Sequence, residues 1–159
     1  MCNFADNYVE NILQKNNNKW SDILLISGGA AWADHIAIRL FLNHQKSKLN
    51  LFLPAKWDDI NCEYDSKNLK YGKVSNFYHH KFSEKIKINS LKEIEQVIKH
   101  DNVQKIECNG FIARNLKVGE TDFLIAFSFD DEKPKSGGTK ITWDKSKCIN
   151  KINFNIKKL

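Results

Sequence analysis

Residues 23–37 read ILLISGGAAWADHIA. Ile23 to Ile26 is a four-residue aliphatic run without polar alternation, the pattern of a strand covered on both faces in a parallel sheet. Gly28 and Gly29 end the run. From Ala30 onward, Ala33, Ile36, Ala37, Leu40 and Phe41 recur at helical spacing and form one apolar stripe. A strand that ends in Gly-Gly can turn sharply and let backbone approach a ligand, and the first turn of the helix that follows offers unpaired N–H groups and a positive dipole end. That is the chemistry of an anion site, and Ala30 and Ala31 keep its entrance free of side chains. The same small residues also serve close packing of helix on strand. A two-glycine loop is far less specific than GxGxxG or a Walker A lysine loop.

The arrangement returns about a hundred residues later. Residues 123–129 (FLIAFSF) form the most strand-like segment of the chain; an acidic loop, DDEKPK, follows, and then SGGTK at 136–140 opens another short helical stretch. Ligands of open α/β sheets sit at the carboxyl ends of strands, so the two glycine turns are expected to face one crevice. Ser136 is placed to cap the second helix, and the Thr139 hydroxyl to donate to a phosphate. Arg114, one of only two arginines in the chain, suits a bidentate anion clamp; its bland reading is a surface residue on a helix end.

Outward from these turns, residues 6–15 read as an amphipathic helix with Asp6 as N-cap. Leu49 to Leu53 is a second strand, stopped by Pro54. Residues 55–72 are polar and read as an extended loop, and 73–85 as a helix presenting Val74, Phe77, Tyr78 and Phe82. Ser90 followed by Glu93 makes a capping box before a helix over 91–100. FIARNLKV at 111–118 is a short helix or turn, and CINKINFNI at 148–156 alternates as an edge strand does. Strands that alternate with helices indicate a parallel α/β sheet.

The chain has 159 residues, of which 42% are hydrophobic, enough for one domain with a full core, expected over 1–159. No run of about 18 apolar residues suggests a membrane span, and the start MCNFADNYVE lacks the look of a signal peptide; the expectation is a soluble, cytoplasmic protein. The four cysteines are widely spaced without a CxxC pair and read as free thiols. The net charge is +6, but it is local. Residues 133–159 hold eight Lys against Asp144 alone, a sum of +7, which leaves −1 for the rest. With 23 Lys to two Arg, the basic set is poor in the guanidinium forks that read phosphates and base edges.

SGGAAWADHIA, then FIARN, then DFLIAF and SGGT, resemble in order the SLOG superfamily, the Rossmann-like nucleotide-binding fold shared by the Smf/DprA and Lonely Guy proteins. The resemblance covers about residues 20–145 and is nearest to a branch with SGGA-x-x-AD, RN and GGT motifs. It implies a three-layer α/β/α sandwich with a mostly parallel sheet. It also implies that Ser27, Gly28, Gly29 and Ala30 hold a phosphate or sugar, that Asp34 shapes the pocket, and that Arg114, Asn115, Gly137, Gly138 and Thr139 complete it. Two departures stand out. Members of the superfamily begin with a strand that ends in a Gly-Ser-Arg type turn, which this chain lacks, so one wall of the pocket is expected to be missing. Lonely Guy type phosphoribohydrolases use a PGGxGTxxE glutamate, and its position here is Thr142.

The leading expectation is therefore a binding domain for a nucleotide or a nucleotide-derived ligand, with no cofactor and no metal. Trp32, in the first turn beside the glycines, reads either as a face on which an adenine stacks or as a core residue. The alternatives are an N-glycosidic hydrolase of nucleoside monophosphates, with Glu120 or Asp144 in place of the missing glutamate, and a single-stranded DNA-binding module that uses the Lys-rich segment 145–159. His79 and His80 are adjacent, so on a helix their rings diverge and do not share a metal. His35 reads as a capping or packing residue, and Asp130, Asp131 and Glu132 as a solvated loop. No membrane partner is expected; a missing strand and an exposed sheet edge favour homo-oligomerisation.

Overall fold

The computed structural model describes residues 1–67 and 70–159. The chain runs α1 (Cys2–Lys15), β1 (Leu24–Ser27), α2 (His35–Asn43), β2 (Lys48–Leu53), β3 (Trp57–Asp58), β4 (Glu63–Tyr64), α3 (Lys70–Ile86), α4 (Ser90–Ile98), β5 (Val103–Glu107), α5 (Phe111–Val118), β6 (Phe123–Ser128), α6 (Gly137–Lys145) and β7 (Asn150–Asn155), with 3-10 turns at Trp20–Asp22 and Trp32–Asp34. β1, β2 and β5 form one parallel sheet in the order β1-β2-β5, and β6 and β7 form a second parallel pair. The fold is α/β and Rossmann-like.

Connection handedness sets the layers. From β1 to β2 to β5 the strands progress in one direction, so right-handed crossovers put α2 and α4 on the same face. α5 packs against β2 and α6, and α6 packs against β6. Two apolar clusters form, and both draw on α2. Ile38 and Phe41 of α2, Leu49, Leu51 and Leu53 of β2, and Leu91, Ile94 and Val97 of α4 form the first, with Trp57 and Tyr64. Ala5 of α1, Ile36 and Leu40 of α2, and Phe127 of β6 form the second, and Leu25, Ile125, Phe154 and Ile156 pack against it. One helix, α2, thus supplies both cores, because its apolar positions span more than one stripe.

Several expectations change. α1 starts at Cys2 rather than at residue 6, and Asp6 is no cap: its carboxylate accepts from His44 Nε2 at 2.8 Å and Asn43 Nδ2 at 3.2 Å. Residue Leu24 is 48% exposed, so β1 is not covered along its whole length. Within the loop expected over 55–72, β3 and β4 form a short antiparallel hairpin and α3 starts at Lys70; residues 68 and 69 lie outside the described ones. α3 buries Gly72, Ser75, Asn76, His79 and Phe82, whereas Phe77 and Tyr78 are exposed. Asn89, not Ser90, caps α4 by accepting from Leu91 N and Lys92 N, which frees Ser90 to bond His79. β5 had no counterpart among the expected strands.

Candidate functional site

β1 delivers Ser27 into the interior, where its Oγ accepts from Gly29 N at 3.1 Å and donates to Asp34 O at 3.0 Å. These bonds fold the glycine turn back on itself. Gly29 has φ of 61°, and its carbonyl points inward, accepting from Tyr64 Oη and from His79 Nε2 at 3.0 Å. The helix does not begin at Ala30. Ala30 and Ala31 lead instead into the Trp32–Asp34 turn, and α2 starts only at His35. Trp32, with φ of 68°, is 43% exposed and tilts against Phe82.

α5 lies across both glycine turns. Its Arg114 is only 7% exposed and donates from Nη1 to Asp34 Oδ2. Arg114 covers Gly28 so closely that a Cβ added there would lie 2.1 Å from Nη1 and 2.5 Å from Cδ. The next residue, Asn115, donates from Nδ2 to Gly138 O at 3.4 Å. Two consecutive side chains therefore touch the turn after β1 and the start of α6, which brings the two turns to one crevice at the carboxyl ends of β1 and β6. β1 belongs to the sheet β1-β2-β5 and β6 to the pair β6-β7, so the two turns end strands of separate ladders.

The two sides of the crevice differ. The Gly28 side is filled by the Arg114–Asp34 pair. The α6 side is open: Gly137 has φ of 70° with nothing within 4 Å of an added Cβ, Ser136, Gly137 and Gly138 are exposed, and Ser136 occupies the N-cap position without a side-chain capping bond. The first N–H groups of α6 are thus uncovered. Arg114 Nε is buried without a hydrogen-bond partner among the described residues.

A guanidinium this deeply placed holds structure as well as charge. Arg114→Ala is expected to cost about 2–3 kcal/mol, below the full cost of breaking a buried pair because Asp34 keeps some solvent. Arg114→Lys should restore only part of that, since an ammonium lacks the planar fork. Urea unfolding checks both; a loss under about 0.5 kcal/mol for Arg114→Ala would show the pair to be idle.

The remaining sequence candidates do not converge on the crevice. Glu120 precedes β6, at the opposite edge of the sheet, where it is exposed and pairs with Lys117 at 3.0 Å. There it lines a cavity of about 640 Å³ with Asp122, Lys147 and Asn150. Asp144 lies in the last turn of α6 and pairs with Lys140; Thr142, the position of the family glutamate, is buried. Asp131 is tied to Lys158 at 2.5 Å and to Asn155 at 2.9 Å. In the Lys-rich segment, Lys151 donates to the carbonyls of Trp143 and Ser146, and Lys157 lies over the Phe129 ring. Among the described residues no three His, Cys, Asp or Glu side chains cluster as metal ligands, and no helix is long and apolar enough to cross a membrane.

Other residues at the site left little trace in the sequence. Tyr64 is completely buried, and burial pushes its phenol far above the ordinary value. Asn76 holds it in place, accepting from Tyr64 N at 3.0 Å and donating to Tyr64 O at 2.9 Å. Behind the glycine turn, Glu93 accepts from His35 Nε2 at 2.7 Å and Arg39 Nε at 3.3 Å. Burial pushes the Glu93 carboxyl up, but these bonds and charges outweigh it and hold the group below its usual range.

The fold is that of a Rossmann-like α/β protein in which Arg114 and Asn115 join the two glycine turns. Over 157 residues the chain is 41% identical to the uncharacterized protein R261 of Acanthamoeba polyphaga mimivirus, a match that covers 98% of this chain and 82% of the viral one. The chain belongs to the family of that mimiviral protein. No family model and no solved structure matches it.

Proposed function

We propose that the chain binds a nucleotide or a nucleotide-derived ligand in the crevice between the carboxyl ends of β1 and β6, with a phosphate over the first turn of α6. The observation that carries this reading is the contact of Arg114 with Gly28 and Asp34 and of Asn115 with Gly138, which joins both glycine turns. Uncovered N–H groups of Gly138 and Thr139 supply donors and a positive dipole end to an anion. Arg114 acts from the floor of the crevice, adding positive potential while its fork is held by Asp34. Trp32, partly exposed beyond the first turn, offers a face for a base. The SLOG resemblance of SGGAAWADHIA, FIARN and SGGT assigns the same class of ligand. With Glu120 and Asp144 outside the crevice, the reading is one of binding rather than of glycosidic hydrolysis.

Thermal shift with AMP, ADP, ATP and inorganic phosphate tests it. At a ligand concentration of about 100 Kd the fold should gain about 2.7 kcal/mol, and the melting temperature should rise with concentration. Thr139→Asp keeps the helix stable, since a carboxylate is favourable in a first turn, but places a negative charge where the phosphate sits; the shift should vanish. If no nucleotide raises the melting temperature of the folded protein, the reading is wrong.

A further inference from the structure

α2 and α3 border a cavity of about 310 Å³, and of the residues placed at the crevice only Trp32 also lines it. Ile36, Phe82 and Ile86 join Trp32 as its apolar walls, His35 and Arg39 are its polar lining, and the first turn of α1 closes it. His35 and Arg39 stand four residues apart on α2, and Phe82 and Ile86 four apart on α3, so each helix turns one face to the cavity. The Trp32 and His35 rings both meet Phe82, with centroids 5.2 and 5.3 Å away. A mostly apolar hollow of this size with a few polar groups at one place is the usual form of a small-molecule site.

The polar groups are unused. Arg39 donates from Nε to Glu93 Oε2 at 3.3 Å, but its Nη2 is buried with no acceptor among the described residues. His35 has no exposed surface; its Nε2 donates to the same Glu93 oxygen at 2.7 Å, and its Nδ1 is also buried without a partner. Buried nitrogens are almost always paired, since an unmade hydrogen bond leaves the full cost of desolvation in place. Here two such atoms belong to residues one helical turn apart that line the same cavity.

One wall of the cavity is strained as well. Trp32 sits at φ of 68°, where a bulky L residue is a rare outlier. Burial does not account for that conformation, because the residue stays 43% exposed. Backbone held in such a region clusters at ligand sites, where the side chain is set for a contact the free protein does not make.

We propose that this cavity binds a small monocarboxylate with a flat apolar body of one or two rings. The carboxylate accepts from Arg39 Nη2 and from His35 Nδ1. Because His35 Nε2 already donates to Glu93, Nδ1 becomes a donor only in the imidazolium form, which a bound anion favours. Glu93 offsets one of the two cations, so a single negative charge completes the set; a phosphate dianion would leave surplus negative charge beside Glu93. The ring lies along Trp32 and Phe82 and covers the exposed indole. The proposal does not rest on the nucleotide reading, since its polar groups lie outside the crevice.

Benzoate and its neutral counterpart benzamide test it. In an NMR titration of the full chain, benzoate should shift the Trp32 indole N–H and bind about tenfold or more tightly than benzamide. Inorganic phosphate should not displace it. Ile86→Trp fills the cavity from its apolar side without touching the charged set, and should abolish the shift in a protein that keeps its melting temperature. Arg39→Met should weaken benzoate binding by about tenfold or more; if that variant does not fold, Ile86→Trp and the benzamide comparison still decide. Absence of a Trp32 shift at benzoate concentrations up to about 10 mM overturns the proposal. Equal affinity for benzamide, displacement by phosphate, or a shift that survives Ile86→Trp overturns it too.

Discussion

Alanine at Gly29 lowers stability by about 3–5 kcal/mol. Two costs add. Gly29 sits at φ of 61°, where an L residue loses about 1–2 kcal/mol. Its added Cβ would lie 2.6 Å from Leu53 Cδ2 and 2.7 Å from Tyr64 Oη, and both belong to residues without exposed surface. Neither neighbour can retreat, because Leu53 is clamped in the central strand β2 and the Tyr64 hydroxyl is bonded to the Gly29 carbonyl itself. Gly137→Ala isolates the first cost. Its φ is 70°, but the space around it is open, so the loss should stay near 1–2 kcal/mol. Urea unfolding of both variants measures the difference; equal losses would mean that the Gly29 turn is not packed as described.

That contrast also shows what was legible in the residues and what was not. Both glycine pairs can be read as turns, since each follows an aliphatic run and precedes a helical stripe. Which turn is filled and which is open depends on Arg114, 80 residues from its partner Asp34 along the chain, and no local pattern encodes such a pairing. β1, β2, β6 and β7 are visible because buried parallel strands need uninterrupted or alternating apolar residues. β5 escapes notice because VQKIE carries only Val103 and Ile106 as apolar residues, which an edge strand tolerates when one face meets solvent. The β3-β4 hairpin is invisible for another reason: with only two residues in each strand, it owes its place to the Asn76 side chain rather than to its own propensity.

The capping box at Ser90 and Glu93 illustrates a pattern read correctly as a helix start but wrongly as a mechanism. Its serine is diverted to His79 and its glutamate to His35 and Arg39. A short polar side chain before a helix has several partners within reach, and tertiary packing chooses among them. The same choice ties α3 and α4 to the glycine turn, through Ser90, His79 and the Gly29 carbonyl in series. The crevice floor is thereby linked to helices whose sequences give no hint of it.

That chain of bonds makes the fold acid-sensitive above the range where carboxylates titrate. Burial pushes His79 down to about 4 from an ordinary value of 6.5, against the opposing pull of its bond to the Gly29 carbonyl, and the nearby His35 and His80 add to the depression. Because Nε2 donates to Gly29 O, the neutral ring has Nδ1 free to accept from the Ser90 hydroxyl. Between these two values the unfolded chain binds a proton at His79 that the native chain does not. Stability is therefore complete above pH 6.5 and falls as the pH is lowered toward 4, by about 3 kcal/mol over the window. Glu93, held below its usual range, starts to contribute only at the acid end. His79→Gln separates the two: its amide can donate to Gly29 O and accept from Ser90 but does not titrate. The variant should lose about 1–2 kcal/mol at pH 7.5, where the fit is imperfect, and should show a nearly flat stability between pH 6.5 and 5, where the parent slopes. Urea unfolding across that range decides the matter, since a parent curve as flat as the variant's would mean that the imidazole is not buried neutral against the glycine turn.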